Sequence, residues 1–344
     1  MGAVQEDPST MGSEVKTEED HKPNVPSDHK WEIVWGRAVF AVLVHIAGFY
    51  GAFLFFTAAK WQTCLFTLFL HVAMAISVTA GAHRLWAHRA YKAKLPLRIL
   101  LLTFFTMAFQ NTLIVWARDH RAHHKYVDTD ADPHNSNRGF FFSHIGWLLV
   151  RRHPEVRAHK VDLSDLFADP LLKFQNNYYV WMLPFLVVLT PIYIPTLWGE
   201  KKMVALFVCL FLRYLLTIHV FFVVNSVAHM FGTRPYDKNI QPGESKLVSF
   251  FASGEGFHNY HHAFPWDYRT AELGGYLFNT SRLFIDLMAK IGWAYDLKSV
   301  PTDMIERRVK RTGDGSHPVW GWDDPDMSAE DRKLATIINE NKES

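Results

Sequence analysis

Apolar residues gather into five long runs, Ala38 to Ala59, Thr63 to Ala82, Leu97 to Val115, Tyr178 to Trp198 and Met203 to Val224, with polar, histidine-bearing sequence between them. Each run is close to the roughly 20 residues that carry a helix across a bilayer. Clusters of histidines flank the third run on both sides, so a crossing there would put them on opposite faces of the membrane. Leu97 to Val115 is therefore expected to dip into the interface or lie on it. Four crossings remain, as two hairpins with short connections at Lys60 to Gln62 and Gly199 to Lys202. Pro184, Pro191 and Pro195 fall inside the third crossing, where they are expected to kink or locally unwind it.

The segments sharing the histidine-bearing face carry most of the lysines and arginines. They include Arg84, Arg89, Lys92 and Lys94, then Arg118, Arg121, Lys125, Arg151, Arg152 and Arg157, and finally Arg307, Arg308, Lys310 and Arg311. The positive-inside tendency assigns that face, and both termini, to the cytosol. Composition alone hides this architecture. The mean hydropathy of the 344 residues is −0.04, which averages apolar runs against polar segments. Residues 1–30 are polar, acidic and proline-containing, as a disordered tail is, and they lack the apolar core of a cleavable signal peptide. A net charge of +2, with basic residues that a membrane surface explains, gives nucleic-acid binding no support.

The candidate chemistry lies in three histidine clusters: HRLWAH with His83 and His88, HRAHH with His120, His123 and His124, and HNYHH with His258, His261 and His262. Offsets of three and four bring side chains to one helix face, and imidazole is the commonest protein metal ligand. Eight imidazoles overfill one first-row ion, which takes about six ligands, and fit two. His83 and His88 are five apart and point about 140° away from each other on an unbroken α-helix. Gly81 therefore predicts an end or bend of the crossing there. Asp128, Asp130 and Asp132 follow the second cluster and are either acceptors that orient imidazole N–H groups or turn residues. For Asp130 and Asp132, beside Pro133, the turn is the expected role. In NSVAHMFG, Asn225 and His229 lie one helical turn apart where the fourth crossing ends, which makes His229 a candidate ninth ligand. His45, His71 and His219 lie in apolar spans without cluster spacing and are read as packing or helix-contact residues. Cys64 and Cys209 also sit in apolar runs, too isolated for a disulfide framework, an iron–sulfur cluster or thiolate zinc.

Longer motifs around these clusters resemble those of membrane acyl-CoA desaturases of the stearoyl-CoA type, insect members above all. They are GAHRLWAH, FQNTLIVWARDHRAHHKY, DADPHNSNRGFFFSHIGWLLVRRHP, NSVAHMFGTRPYD and GEGFHNYHHAFPWDYRTAELG, and the likeness runs from about Trp31 to Trp322. The resemblance implies an all-α, mushroom-shaped integral membrane protein of the endoplasmic reticulum with four transmembrane helices. Residues 31–311 would form the desaturase domain, its cytosolic cap from 83–173 and 225–311, followed by a cytosolic tail over 312–344. It also implies a di-iron (Fe2+) centre ligated by His83, His88, His120, His123, His124, His229, His258, His261 and His262, with Asn225 holding a water on one iron. Dioxygen would be the co-substrate, and NADH would supply electrons through cytochrome b5 reductase and cytochrome b5. The double bond would enter a saturated C16 or C18 fatty acyl-CoA, with Δ9 the leading position and Δ11 an alternative.

Carried over from the same family, Asn111, Arg118, Asp119, Arg151 and Arg152 would hold the CoA head group, and Gln110 and Trp116 would line the bend of the acyl tunnel. Two departures bear on that tunnel. Relatives commonly carry threonine four residues before the asparagine of NSxAH, where this chain has Phe221 followed by Phe222, and NTLI over Asn111 to Ile114 also differs. A membrane di-iron hydroxylase shares histidine boxes but not these full contexts. A metal or haem transporter would place its ligands at mid-membrane depth, and a catalytically silent homologue would lack ligand positions.

Overall fold

The computed structural model describes residues 29–318, 322 and 327–336, so the N-terminal tail lies outside the described residues apart from its last two. The fold is almost entirely helical. Four of its helices are long and apolar enough to cross a membrane: α1 (Trp35–Thr57), α2 (Trp61–Ala87), and, after the shorter α3 (Leu95–Met107) and α4 (Leu113–Lys125) and several one-turn helices, α5 (Pro170–Trp198) and α6 (Lys202–Met230). Half of the apolar window of α2 and of α6 is buried against 17% for α1 and α5, so α2 and α6 form the inner pair. Gly48 and Gly51 let α1 close onto α6. A Cβ at Gly51 would sit 2.1 Å from the Phe207 carbonyl oxygen, and one at Gly48 2.6 Å from Leu215 Cδ2. Small residues permit this backbone approach where lipid offers no hydrophobic drive for helix association.

The two hairpins are tied at the end away from the histidines. There the Glu200 carboxylate accepts from the Lys60 N–H at 2.8 Å and the Thr63 hydroxyl at 2.7 Å. In α5 the expected proline effect takes a specific form, with π-helical winding over Pro184–Leu189 and a 3-10 turn over Ile194–Trp198 inside a continuous helix.

The apolar run over 97–115 is two helices rather than one segment. Helix α3 (Leu95–Met107) has 13 residues, about 20 Å of rise, short of the roughly 30 Å hydrocarbon core. The chain then reverses through Phe109 and Asn111, both with positive φ, into α4 (Leu113–Lys125), where the Thr112 side chain accepts from the Val115 N–H. Buried Gln175 of α5 holds the corner, accepting from the Leu113 N–H and donating to the Thr106 hydroxyl. Fully buried Arg213 of α6 donates to the Met107 carbonyl at 3.2 Å, a cation at the C-terminal end of α3. The histidine-bearing end is completed by α7 (His258–Ala263), α8 (Thr280–Lys290) and α9 (Thr302–Thr312), with one two-residue antiparallel ladder pairing β1 (Lys92–Ala93) with β2 (Ala294–Tyr295).

Candidate metal centre

The first histidine pair is brought together by the winding of its helix. From Ser77 to Ala87 helix α2 is π-helical, and the His88 N–H donates to the His83 carbonyl at 3.0 Å, an i→i+5 bond that stacks the two residues on one face. The helix does not end at Gly81 but runs on to Ala87. That glycine is instead where α3 packs, since a Cβ there would lie 3.3 Å from the Leu101 Cβ.

Helix α4 contributes His120, His123 and His124, α6 contributes His229, and α7 contributes His258, His261 and His262. Buried Asn259 fixes α7, accepting from the Tyr236 and Asp237 N–H groups and donating to the Asp237 and Pro242 carbonyls. The nine imidazoles divide into two groups. His83, His88, His120, His124 and His261 converge in one, and His123, His229, His258 and His262 in the other, with donor atoms in each within 4.8 Å of one another. Nε2 atoms meet at 2.9 Å for His83 and His261, 2.8 Å for His88 and His120, 2.9 Å for His124 and His261, and 2.9 Å for His229 and His258. Hydrogen bonds among four or five convergent ring nitrogens cannot satisfy them all, because a neutral imidazole carries one N–H. A cation at each focus can.

The outer ring nitrogens support this reading. Glu255 accepts from His83 Nδ1 at 2.8 Å, and Asp132 accepts from His123 Nδ1 at 2.9 Å, which leaves both Nε2 atoms as lone pairs aimed inward. Asp128 lies 3.5 Å from His229 Nδ1. Asp132 takes both roles: its buried side chain, besides orienting His123, accepts from the His134 N–H two residues on, the turn expected beside Pro133, and from the Asp128 N–H. Asp130 keeps a surface role, paired with Arg138. Glu255, one residue before the Gly of GFHNYHH, is the partner that sequence spacing did not signal. It is held in turn by Arg84 at 2.9 Å, so this arginine is a buried structural group rather than one of the surface charges that orient the chain.

Burial, reinforced by neighbouring imidazoles, holds His88, His120, His124, His258, His261 and His262 well below the ordinary imidazole value, in the neutral form that ligates metal. Burial acts against charge on Asp128 too, yet the nearby His229 imidazole and the hydrogen bond from the Ser136 hydroxyl bring its carboxyl down to about 2.

A cavity of about 530 Å³ opens beside both groups and is lined by His83, His120, His123, His258 and Asn225. Of the residues expected along an acyl tunnel, Gln110, Trp116, Phe221 and Phe222 all line it, and the Trp116 indole N–H donates to the Gln110 carbonyl at 3.2 Å. Asn111, Asp119 and Arg152 line it as well, with Arg152 paired to Asp119. Two expected head-group residues do not. Arg118 is turned onto Asp119 at 2.8 Å, and Arg151 is exposed and paired with Glu32. Tyr179 and Tyr214, not singled out in the sequence, complete the wall.

These features define a multi-pass helical membrane protein with two histidine sites for metal beside an apolar-walled cavity. Residues 59–273 match the family model described as fatty acid desaturase. The chain is 52% identical over 328 residues to an acyl-CoA Delta-9 desaturase of Acheta domesticus, covering 94% of this chain and 91% of that one. It is 51% identical over 344 residues to an acyl-CoA Delta(11) desaturase of Trichoplusia ni, covering 99% and 98%, and 50% identical over 318 residues to an acyl-CoA Delta12-desaturase of Acheta domesticus, covering 92% and 89%. The chain belongs to the fatty acid desaturase family.

Proposed function

We propose that this protein is an oxygen-dependent acyl-CoA desaturase that introduces a double bond into a saturated C16 or C18 fatty acyl-CoA, at Δ9 by preference. The observation that carries the reading is the five-plus-four division of nine imidazoles beside a cavity that reaches both groups. Iron fits this donor set of nitrogens without thiolate, with Asn225 on the cavity wall beside the four-histidine group, where it can hold a water. When bound, the metal pair supplies the dioxygen-derived oxidising power that an unactivated methylene C–H requires.

The chain's own residues do the rest. Glu255 and Asp132 keep His83 and His123 in the ligating tautomer. Asn111, Asp119 and Arg152 on the cavity wall suit a CoA head group, with Arg118 and Arg151, each next in sequence to one of them, exchanging their carboxylate partners for phosphate. Trp116, Phe221 and Phe222 shape the apolar wall that excludes water and fixes which carbon faces the metals. Insect relatives named for Δ9, Δ11 and Δ12 desaturation match at 52%, 51% and 50%, so overall likeness does not choose among positions, and we assign that choice to this wall. Phe221, bulkier than threonine and without its hydroxyl, is the wall residue that bears most on double-bond position and preferred chain length.

Electrons would come from NADH through cytochrome b5 reductase and cytochrome b5, and the histidine-bearing end, with both termini, would face the cytosol from the endoplasmic reticulum membrane. The test is expression in yeast lacking its own desaturase, followed by fatty-acid methyl ester analysis with double-bond derivatisation. New monounsaturated C16 or C18 acids are expected. Well-inserted protein that forms no unsaturated product from several supplied chain lengths would overturn the assignment, and a hydroxylated product would replace it.

A further inference from the structure

Away from the convergent ligands, three more imidazoles form a line. His45 on α1 meets His219 on α6, Nε2 to Nε2, at 3.0 Å, and His219 Nδ1 meets His144 Nε2, in the Phe142–Gly146 turn, at 2.9 Å. The line continues at both ends. His45 Nδ1 lies 2.7 Å from the Ala41 carbonyl, His144 Nδ1 lies 2.9 Å from the Ser226 hydroxyl, and that hydroxyl donates to the Phe222 carbonyl at 2.7 Å. This is not another metal site, because His219 commits one ring nitrogen to a neighbour on each side and no three donors converge.

The hydrogens in this line can be counted. Five contacts join the Ala41 carbonyl to the Phe222 carbonyl, and both ends only accept. Each neutral imidazole brings one N–H and serine one O–H, four hydrogens for five links. In the neutral line one link is therefore two lone pairs facing each other, in a setting where an unmade hydrogen bond is costly.

We propose that His45, His219 and His144 form a proton-binding site that holds one hydrogen more than its neutral groups carry, and that this shared proton clasps the Phe142–Gly146 turn to α1 and α6 on the cavity wall. The surroundings suit a cation without fixing it by a carboxylate. Phe140 stacks its face on the His144 ring at 5.2 Å, an aromatic neighbour that favours positive charge. The ionisable neighbours are His45 for His144, and His144 and His45 for His219, and Arg37 of α1 and Tyr214 of α6 face the same cavity. Burial lowers the proton affinity of His144 below that of an ordinary imidazole, so the extra proton is held at lower pH and leaves as pH rises. The clasp is then complete at lower pH and open above it. His45, Ile145 and Phe222 all line the cavity, so its release loosens that wall.

Hydrogen exchange of residues 140–150 in lipid nanodiscs tests this without any turnover. Rates at about pH 6 and 8.5 are corrected for intrinsic exchange, in the wild type and in His219→Gln. Glutamine brings two N–H groups on one nitrogen and completes the five links with neutral groups. Protection of the wild-type segment should fall several-fold between the two pH values, and His219→Gln should stay protected at both. Ser226→Ala, which leaves three links for three hydrogens, should flatten the pH dependence in the same way and decides the matter if His219→Gln does not fold. A pH-independent wild type, or the same loss in both variants as in the wild type, would overturn the proposal.

Discussion

Replacing Asp132 by asparagine separates the two metal groups. The buried carboxylate accepts from His123 Nδ1 at 2.9 Å, from the Asp128 N–H at 2.9 Å and from the His134 N–H at 2.8 Å. Asparagine is isosteric, but one of its two terminal atoms donates. It keeps the bond to His123 and leaves one backbone N–H facing an N–H, an unmade buried bond of about 1–3 kcal/mol. The lost charge also weakens His123 as a ligand. Removing such a partner costs roughly 10–100-fold in metal affinity, about 1.4–2.7 kcal/mol. His123 belongs to the four-histidine group, and the five-histidine group has its own anchor in Glu255. Dialysis of Asp132→Asn against a graded chelator series, with iron counted by mass spectrometry, should therefore show one of the two ions leaving at roughly 10–100-fold lower chelator while the other is held as in the wild type. Glu255→Gln should show the complementary loss. If Asp132→Asn kept both ions with wild-type resistance, the acceptor role of Asp132 would be wrong.

The six strongly lowered imidazoles stay neutral in the fold while their unfolded counterparts take up protons below about pH 6.5, so the unfolded state gains protons there and stability falls with pH. The melting temperature of metal-free protein should accordingly drop steeply between about pH 7 and 5, and a flat profile would contradict the neutral, convergent arrangement. Phe221→Thr opens the cavity wall beside Asn225 and should change the ratio of double-bond positions or of C16 to C18 products at least several-fold, read by product analysis in yeast. Gly51→Ala drives a methyl into the Phe207 carbonyl and should cost about 1–3 kcal/mol, read as a lower melting temperature with metal content per folded molecule unchanged.

Much of the architecture is legible in the chain because membrane burial writes itself into composition. Four helices had to show runs of apolar residues, and the need to keep the histidine clusters on one face excluded the fifth. Offsets of three and four likewise marked α4 and α7 as ligand-bearing, since those spacings share a helix face. The pair five apart resisted such reading. His83 and His88 share a face only because the backbone adopts i→i+5 bonds, and no spacing rule for an ordinary α-helix anticipates that.

The division of nine imidazoles into five and four was also a tertiary decision. Adjacent residues His123 and His124 serve different groups, as do His261 and His262, because neighbours on a helix point about 100° apart and each is captured by the partners it meets. The same holds for one of the two carboxylates. Asp132, nine residues after His123, was open to that role in the sequence, whereas Glu255 became the partner of His83 through packing of α2 against the loop before α7, a relation between elements that local sequence cannot state. The sequence by itself determined which residues lie in the membrane and which can bind metal. Only the folded chain, by bringing distant helix faces within hydrogen-bond reach, decided which imidazoles share an ion and which acids orient them.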